Sequence, residues 1–84
     1  MTFYGLEYTR EAENQLALLW LSASDRNGVT RAQYLIDQRL ISEPRSGTHM
    51  SEGLWRVIVP PLAAVYEIDE SGSQVTVTGF GLLK

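Results

Sequence analysis

The chain opens on a period of two. Tyr4, Leu6 and Tyr8 alternate with Phe3, Gly5 and Glu7, which predicts a half-buried strand over residues 3–8. From Ala12 the period changes to that of a helix, because Leu16, Leu19, Trp20 and Ala23 fall within an arc of about 100° and so form one buried face. Thr9 offers an oxygen to the free N–H groups of the first turn, where Glu11 and Glu13 suit the helix dipole. Leu18 and Leu21 lie outside the arc, so this helix is expected to be covered on a second side by another helix or by a partner. The polar link 22–28 then separates it from a second helical period, in which Val29, Ala32, Ile36 and Leu40 share a face while Arg31, Asp37 and Gln38 lie elsewhere. Ser24 could cap this second helix if it tolerates Gly28, and Pro44 stops it after Ser42.

The second half reads as strands. Residues 45–53 are polar and turn-prone, with a short strand around 48–52, and the run LWRVIVPPLAAVYEID that follows is a hairpin of two apolar segments meeting at Pro60-Pro61. Proline cannot donate to a ladder, so this pair belongs at the turn or at a bulge. A last strand over residues 74–82 follows the loop 69–73, and its Gly79 and Gly81 would let it bend or admit another backbone. The predicted class is α+β: a helical hairpin packed on a twisted antiparallel sheet, in the order β-α-α-β-β-β with one further short strand, as a single domain over residues 1–84.

A chain of 84 residues supports one modest core. Seven Lys and Arg against ten Asp and Glu give a net charge of −3, so there is no general attraction to phosphate. Direct nucleic-acid binding is not expected, and a basic partner fits better. There is no cysteine, no run of 18 apolar residues and no basic start leading into an apolar stretch. These features predict a soluble protein of the reduced cytoplasm with no membrane association.

Few residues suggest chemistry. His49 is the single histidine and stands in a polar loop or edge strand, where a solvated imidazole is the ordinary state, and no ligand spacing surrounds it. No metal, cofactor or phosphate loop is expected, and the serines at 46, 51, 71 and 73 sit in turns without a base. Arg45 and Arg56 are the cations of the sheet half before Lys84, and they could meet a phosphate if the strands brought them together. With His49 they are the weak candidates for catalytic groups. Arg56 could instead pair with Glu67 across adjacent strands, and Trp55 could serve as a stacking platform or as core.

The order of elements, taken with certain residues, resembles the RelE/ParE superfamily of bacterial type II toxins, which includes plasmid stabilisation proteins. The resemblance spans nearly the whole chain. It rests on Ala12, Leu16 and Trp20 in the first helix and on Ala32, Ile36, Asp37 and Leu40 in the second. Pro44, Gly47, Gly53, Trp55-Arg56 and the stretch Val65-Tyr66-Glu67-Ile68-Asp69 complete it. It implies a toxin fold neutralised by an antitoxin. In the RelE-like branch it implies mRNA cleavage on the ribosome by basic and tyrosine side chains, and in the ParE-like branch inhibition of gyrase.

Arg56 matches the first basic position of the RelE-like pattern, but the following ones fall on Ile58, Ala63 and Leu83, and the sequence ends at Lys84 without a terminal tyrosine. Three readings follow. The preferred one is a toxin-like binding protein whose partner contacts include Leu18, Leu21, Leu82 and Leu83, covered by a cognate antitoxin. The others are a ribonuclease with its site moved to Arg45, His49 and Arg56, and a non-toxic relative kept as an interaction module or homodimer.

Overall fold

The computed structural model describes residues 3–83. Strand β1 (Gly5–Tyr8) leads into helices α1 (Arg10–Ser22) and α2 (Arg26–Ser42). A single 3-10 turn (Pro44–Ser46) follows, then β2 (Thr48–Ser51), β3 (Leu54–Val59), β4 (Leu62–Asp69) and β5 (Gln74–Leu82).

Local chemistry sets the helix ends. Thr9 caps α1 as expected, its Oγ1 accepting from the Ala12 N–H at 3.1 Å. Asp25, not Ser24, caps α2: its carboxylate accepts from the Gly28 N–H at 2.9 Å, which places Gly28 inside the first turn rather than in the link. A carboxylate at this position also complements the helix dipole, an advantage a serine hydroxyl lacks. All four residues predicted for the inner face of α2, Val29, Ala32, Ile36 and Leu40, are buried. The Val29, Ile36 and Leu40 side chains contribute about 1.5–3 kcal/mol each on leaving water.

The face of α1 is narrower than its sequence suggests. Ala12 is buried, and Leu16, Leu19 and Ala23 pack against the core, but Trp20 is 40% exposed. Its indole N–H donates to Thr30 Oγ1 at 3.2 Å and the Arg26 guanidinium lies 4.7 Å over its ring, so Trp20 bridges the helices at their rim. Leu18 and Leu21 are not covered by α2 either, and remain 66% and 59% exposed.

The sheet runs β1-β5-β4-β3-β2. Strands β2 to β5 form the expected antiparallel meander, whereas β1 adds to β5 in parallel, with Leu6 opposite Val75 and Tyr8 opposite Val77. The sheet is therefore mixed. Pro60 and Pro61 form a two-residue turn, because Val59 pairs with Leu62. The bend of β5 is a bulge at Thr78: Val65 faces Gly79 while Tyr66 faces Val77. No second backbone approaches Gly79; its neighbour is the Gln15 side chain, whose Oε1 accepts from the Phe80 N–H at 2.9 Å. That bond satisfies β5 where β1 has ended.

Both helices lie on one face of the sheet, over Val57, Leu62, Ala64, Tyr66, Val75 and Val77. Tyr66 is fully buried, and its hydroxyl donates to the Pro44 carbonyl, tying the central strand to the end of α2. Gly47 sits where nothing larger fits, since a Cβ there would lie 2.5 Å from the Arg56 carbonyl oxygen and against the Tyr66 hydroxyl. Gly53 adopts φ +74°, the left-handed conformation that the tight β2–β3 turn requires, but faces open space.

These contacts rank three substitutions in urea unfolding. Gly47→Ala is expected to cost about 1–3 kcal/mol through steric displacement of β3, and Tyr66→Phe a similar ~1–3 kcal/mol by leaving the Pro44 carbonyl without its donor. Gly53→Ala is expected to cost about 1–2 kcal/mol, from the backbone conformation alone.

Candidate functional site

Strand alternation divides the candidates between two faces. In the β3–β4 register, Val57 with Ala64 and Trp55 with Tyr66 point toward the helices, while Leu54 with Glu67, Arg56 with Val65 and Ile58 with Ala63 occupy the open face. Arg56 and Glu67 are thus diagonal neighbours on adjacent strands rather than directly opposite, and no ion pair joins them. Of the four matched positions, 56, 58 and 63 come together on the open face, with Ile58 directly opposite Ala63, while Leu83 lies past the end of β5.

Arg45, His49 and Arg56 do not converge. His49 pairs with Trp55 on the helix-facing side at the β2 edge, with ring centroids 5.0 Å apart, which also places Trp55 as a packed side chain covered by the imidazole. Arg56 projects from the opposite face. Arg45, in the 3-10 turn, forms the salt bridge found among the described residues, with Glu70, and donates to the Tyr4 hydroxyl at 3.3 Å. Of the other cations, Arg26 lies over Trp20 and Arg39 donates to Ser46 Oγ at 3.1 Å. No group of three or more metal-ligating side chains forms among the described residues.

The exposed leucines divide as well. Leu21 borders a groove of about 720 Å³ between α1 and α2, lined also by Leu16, Ala17, Trp20, Tyr8 and Glu13. Leu82 and Leu83, 42% and 40% exposed, border a smaller cleft of about 210 Å³ with Pro61 and the α1–α2 link. Leu18 lines neither. The groove as a unit was not legible in the sequence. Its signal was Leu21 lying beside the helical arc with Thr30 and Gln33 one turn apart on α2.

At the groove, Tyr8 donates a short hydrogen bond to Asp37 and receives one from Gln33 Nε2 at 3.5 Å. Burial, reinforced by the Asp37 carboxylate, pushes the Tyr8 phenol far above its ordinary range. Burial likewise raises Asp37 above the usual carboxylate value, an effect the Tyr8 donor opposes. The Tyr66 phenol is also raised by burial, against the pull of Arg39.

This architecture defines a class. Two helices on one face of a five-stranded sheet, in the order β1-α1-α2-β2-β3-β4-β5, is the fold of the RelE/ParE toxins. The RelBE2 toxin–antitoxin complex of Mycobacterium tuberculosis contains a chain that superposes with a TM-score of 0.81 at 18% identity, over 99% of this chain and 94% of that one. The chromosomal ParDE system of P. aeruginosa gives a TM-score of 0.67 at 15% identity, over 96% and 97%. The YoeB/ParE toxin of Agrobacterium tumefaciens gives 0.65 at 18% identity, over 95% and 99%. No protein-family model and no curated protein matches the sequence.

The raised groups make stability depend on pH in one direction. Above pH 10 the unfolded chain loses the phenol protons of Tyr8 and Tyr66 while the folded chain holds them, so stability falls as pH rises. Asp37 acts likewise at the acid end: its contribution is full below 3.8, the ordinary value, and is lost as pH climbs through the raised folded value. Tyr8→Phe is therefore expected to make the alkaline decline shallower, measured as unfolding free energy against pH. An unchanged slope would show that Tyr8 titrates as it does in the unfolded chain.

Proposed function

We propose that this chain is the toxin-like component of a type II toxin–antitoxin pair, acting by protein–protein binding and held in check by a cognate antitoxin. The observation that carries the reading is the composition of the open face. Of the positions that the resemblance matches to phosphate-binding cations, those on this face are Arg56, Ile58 and Ala63, a single cation beside two apolar side chains. Phosphodiester cleavage develops negative charge that preorganised cations must stabilise. One arginine, with Arg45 engaged by Glu70 and His49 on the other face, is a poor source of that stabilisation. Binding chemistry is better supplied, since the α1–α2 groove and the exposed Leu18, Leu21, Leu82 and Leu83 offer apolar area to a partner.

An antitoxin segment suits the groove, and the cellular target, gyrase or ribosome, would be met by another part of the surface. The fold likeness to chains from the toxin–antitoxin complexes of M. tuberculosis and P. aeruginosa supports this assignment. Two other readings stay testable beside it, a ribonuclease working through Arg45, His49 and Arg56 and a non-toxic module.

Induced expression in a bacterial host is expected to arrest growth, and co-expression of the small protein encoded beside the gene to restore it. Unchanged growth on expression would favour the non-toxic module. Leu21→Arg, at an exposed position, is expected to weaken antitoxin binding at least about tenfold, equivalent to ~1.4 kcal/mol, with an unchanged circular dichroism spectrum. On translating ribosomes, the wild type and the Arg45→Ala/His49→Ala/Arg56→Ala variant are expected to leave identical mRNA patterns. Cuts made by the wild type and lost in the variant would establish the ribonuclease.

A further inference from the structure

The open face of the sheet has a second property besides its missing cations. Adjacent strands place Leu54, Glu67, Thr76 and Glu7 in one row, because Leu54 faces Glu67, Glu67 faces Thr76 and Thr76 faces Glu7. The two glutamates thus flank Thr76 at two strand spacings, about 10 Å. Neither makes an ion pair or side-chain hydrogen bond among the described residues, in contrast to Glu70, held by Arg45, and Asp69, engaged by the Ser71 and Gly72 N–H groups. Toward the Pro60-Pro61 end the next row is Arg56 opposite Val65, and beyond it the face turns apolar with Ile58 opposite Ala63. Ile58 is 40% exposed.

We infer that this face docks a segment of a protein partner that carries lysine or arginine next to aliphatic side chains. A cation above Thr76 would relieve the mutual repulsion of Glu7 and Glu67, while aliphatic groups about 7 and 13 Å away along the strands, two and four residues on, would cover Val65 and Ile58. Charge selects this occupant over two others. A polyanion would meet two unengaged carboxylates for the one Arg56, on a chain of net charge −3. A second copy stacked face to face would bring together four such glutamates and only two Arg56 side chains. The inference stands on the sheet face alone and requires neither the groove nor toxicity.

The test is a titration of the whole chain, followed by amide NMR, with short synthetic peptides alternating valine with lysine or valine with glutamate. The lysine peptide is expected to shift the amides of Ile58, Val65 and Thr76 and to bind more weakly as salt is raised. Glu7→Lys/Glu67→Lys should weaken it at least tenfold, while Glu11→Lys/Glu43→Lys, with the same change in net charge but away from this face, should leave affinity within twofold. Spectral dispersion reports whether each variant is folded, and Glu67→Gln gives a milder second probe with a smaller loss in the same direction. Equal weakening by both double variants, equal binding of the glutamate peptide, or shifts confined to the α1–α2 groove would overturn the proposal. So would concentration-dependent broadening of the face residues without peptide, which would identify a second copy as the occupant.

Discussion

The two helices dry one face of the sheet and leave the other open. With no disulfide available and a chain of 84 residues, all of the core must come from that single contact, and strand alternation then dictates which side chains are left outside. Tyr66 shows how tightly the constraint works. It belongs to the central strand, is wholly buried and spends its hydroxyl on the Pro44 carbonyl, so the break that ends α2 is fastened to the middle of the sheet. Gly47 follows from the same contact, since the chain leaving Pro44 must pass against both Tyr66 and the backbone of β3.

One-sided burial also explains why the candidate catalytic residues are scattered. Trp55 must face the helices to pack, which commits Arg56 to the opposite face and takes His49, paired with Trp55, to the helix side. The arginine and the histidine thus project from opposite faces of one sheet. Any site on the open face must be built from positions in phase with Arg56, and in this chain those in-phase positions are mostly aliphatic or acidic. The open face therefore presents a mostly apolar patch that holds Arg56 and is bordered by carboxylates.

The features legible in the sequence are those decided within a few residues of one another. The inner face of α2, the Thr9 cap, the bounds of β3 and β5 and the Pro-Pro turn all follow from local period and backbone chemistry. The parallel addition of β1 to β5 joins opposite ends of the chain, and nothing in the alternation of residues 3–8 names a partner or a direction. The arc drawn for α1 included Trp20 because periodicity marks an apolar stripe without its width. Thr30 and Arg26 then offered the indole N–H and ring a place at the rim that a buried site would have denied. The Arg56–Glu67 pairing failed by register rather than by face. A two-residue turn at Pro60-Pro61 sets Val59 against Leu62 and carries Arg56 to Val65, so the turn length already contained the answer that charge matching missed.

The polar contact between β1 and α2 connects this architecture to the groove. Tyr8 lies on the sheet edge added from the far end of the chain, yet its hydroxyl reaches Asp37 and Gln33 on α2, and its ring tilts against Phe80 at 5.4 Å. The residue that anchors the least local strand therefore also lines the groove between the helices. Its hydroxyl proton is already given to Asp37, so a ligand entering there finds the aromatic surface of Tyr8 and Trp20 rather than a free phenol donor. The groove is a place for apolar contact trimmed by Glu13, and the open sheet face is a second such place trimmed by Glu7 and Glu67. Two apolar surfaces edged with carboxylates therefore lie on opposite sides of one sheet, the open one also holding Arg56.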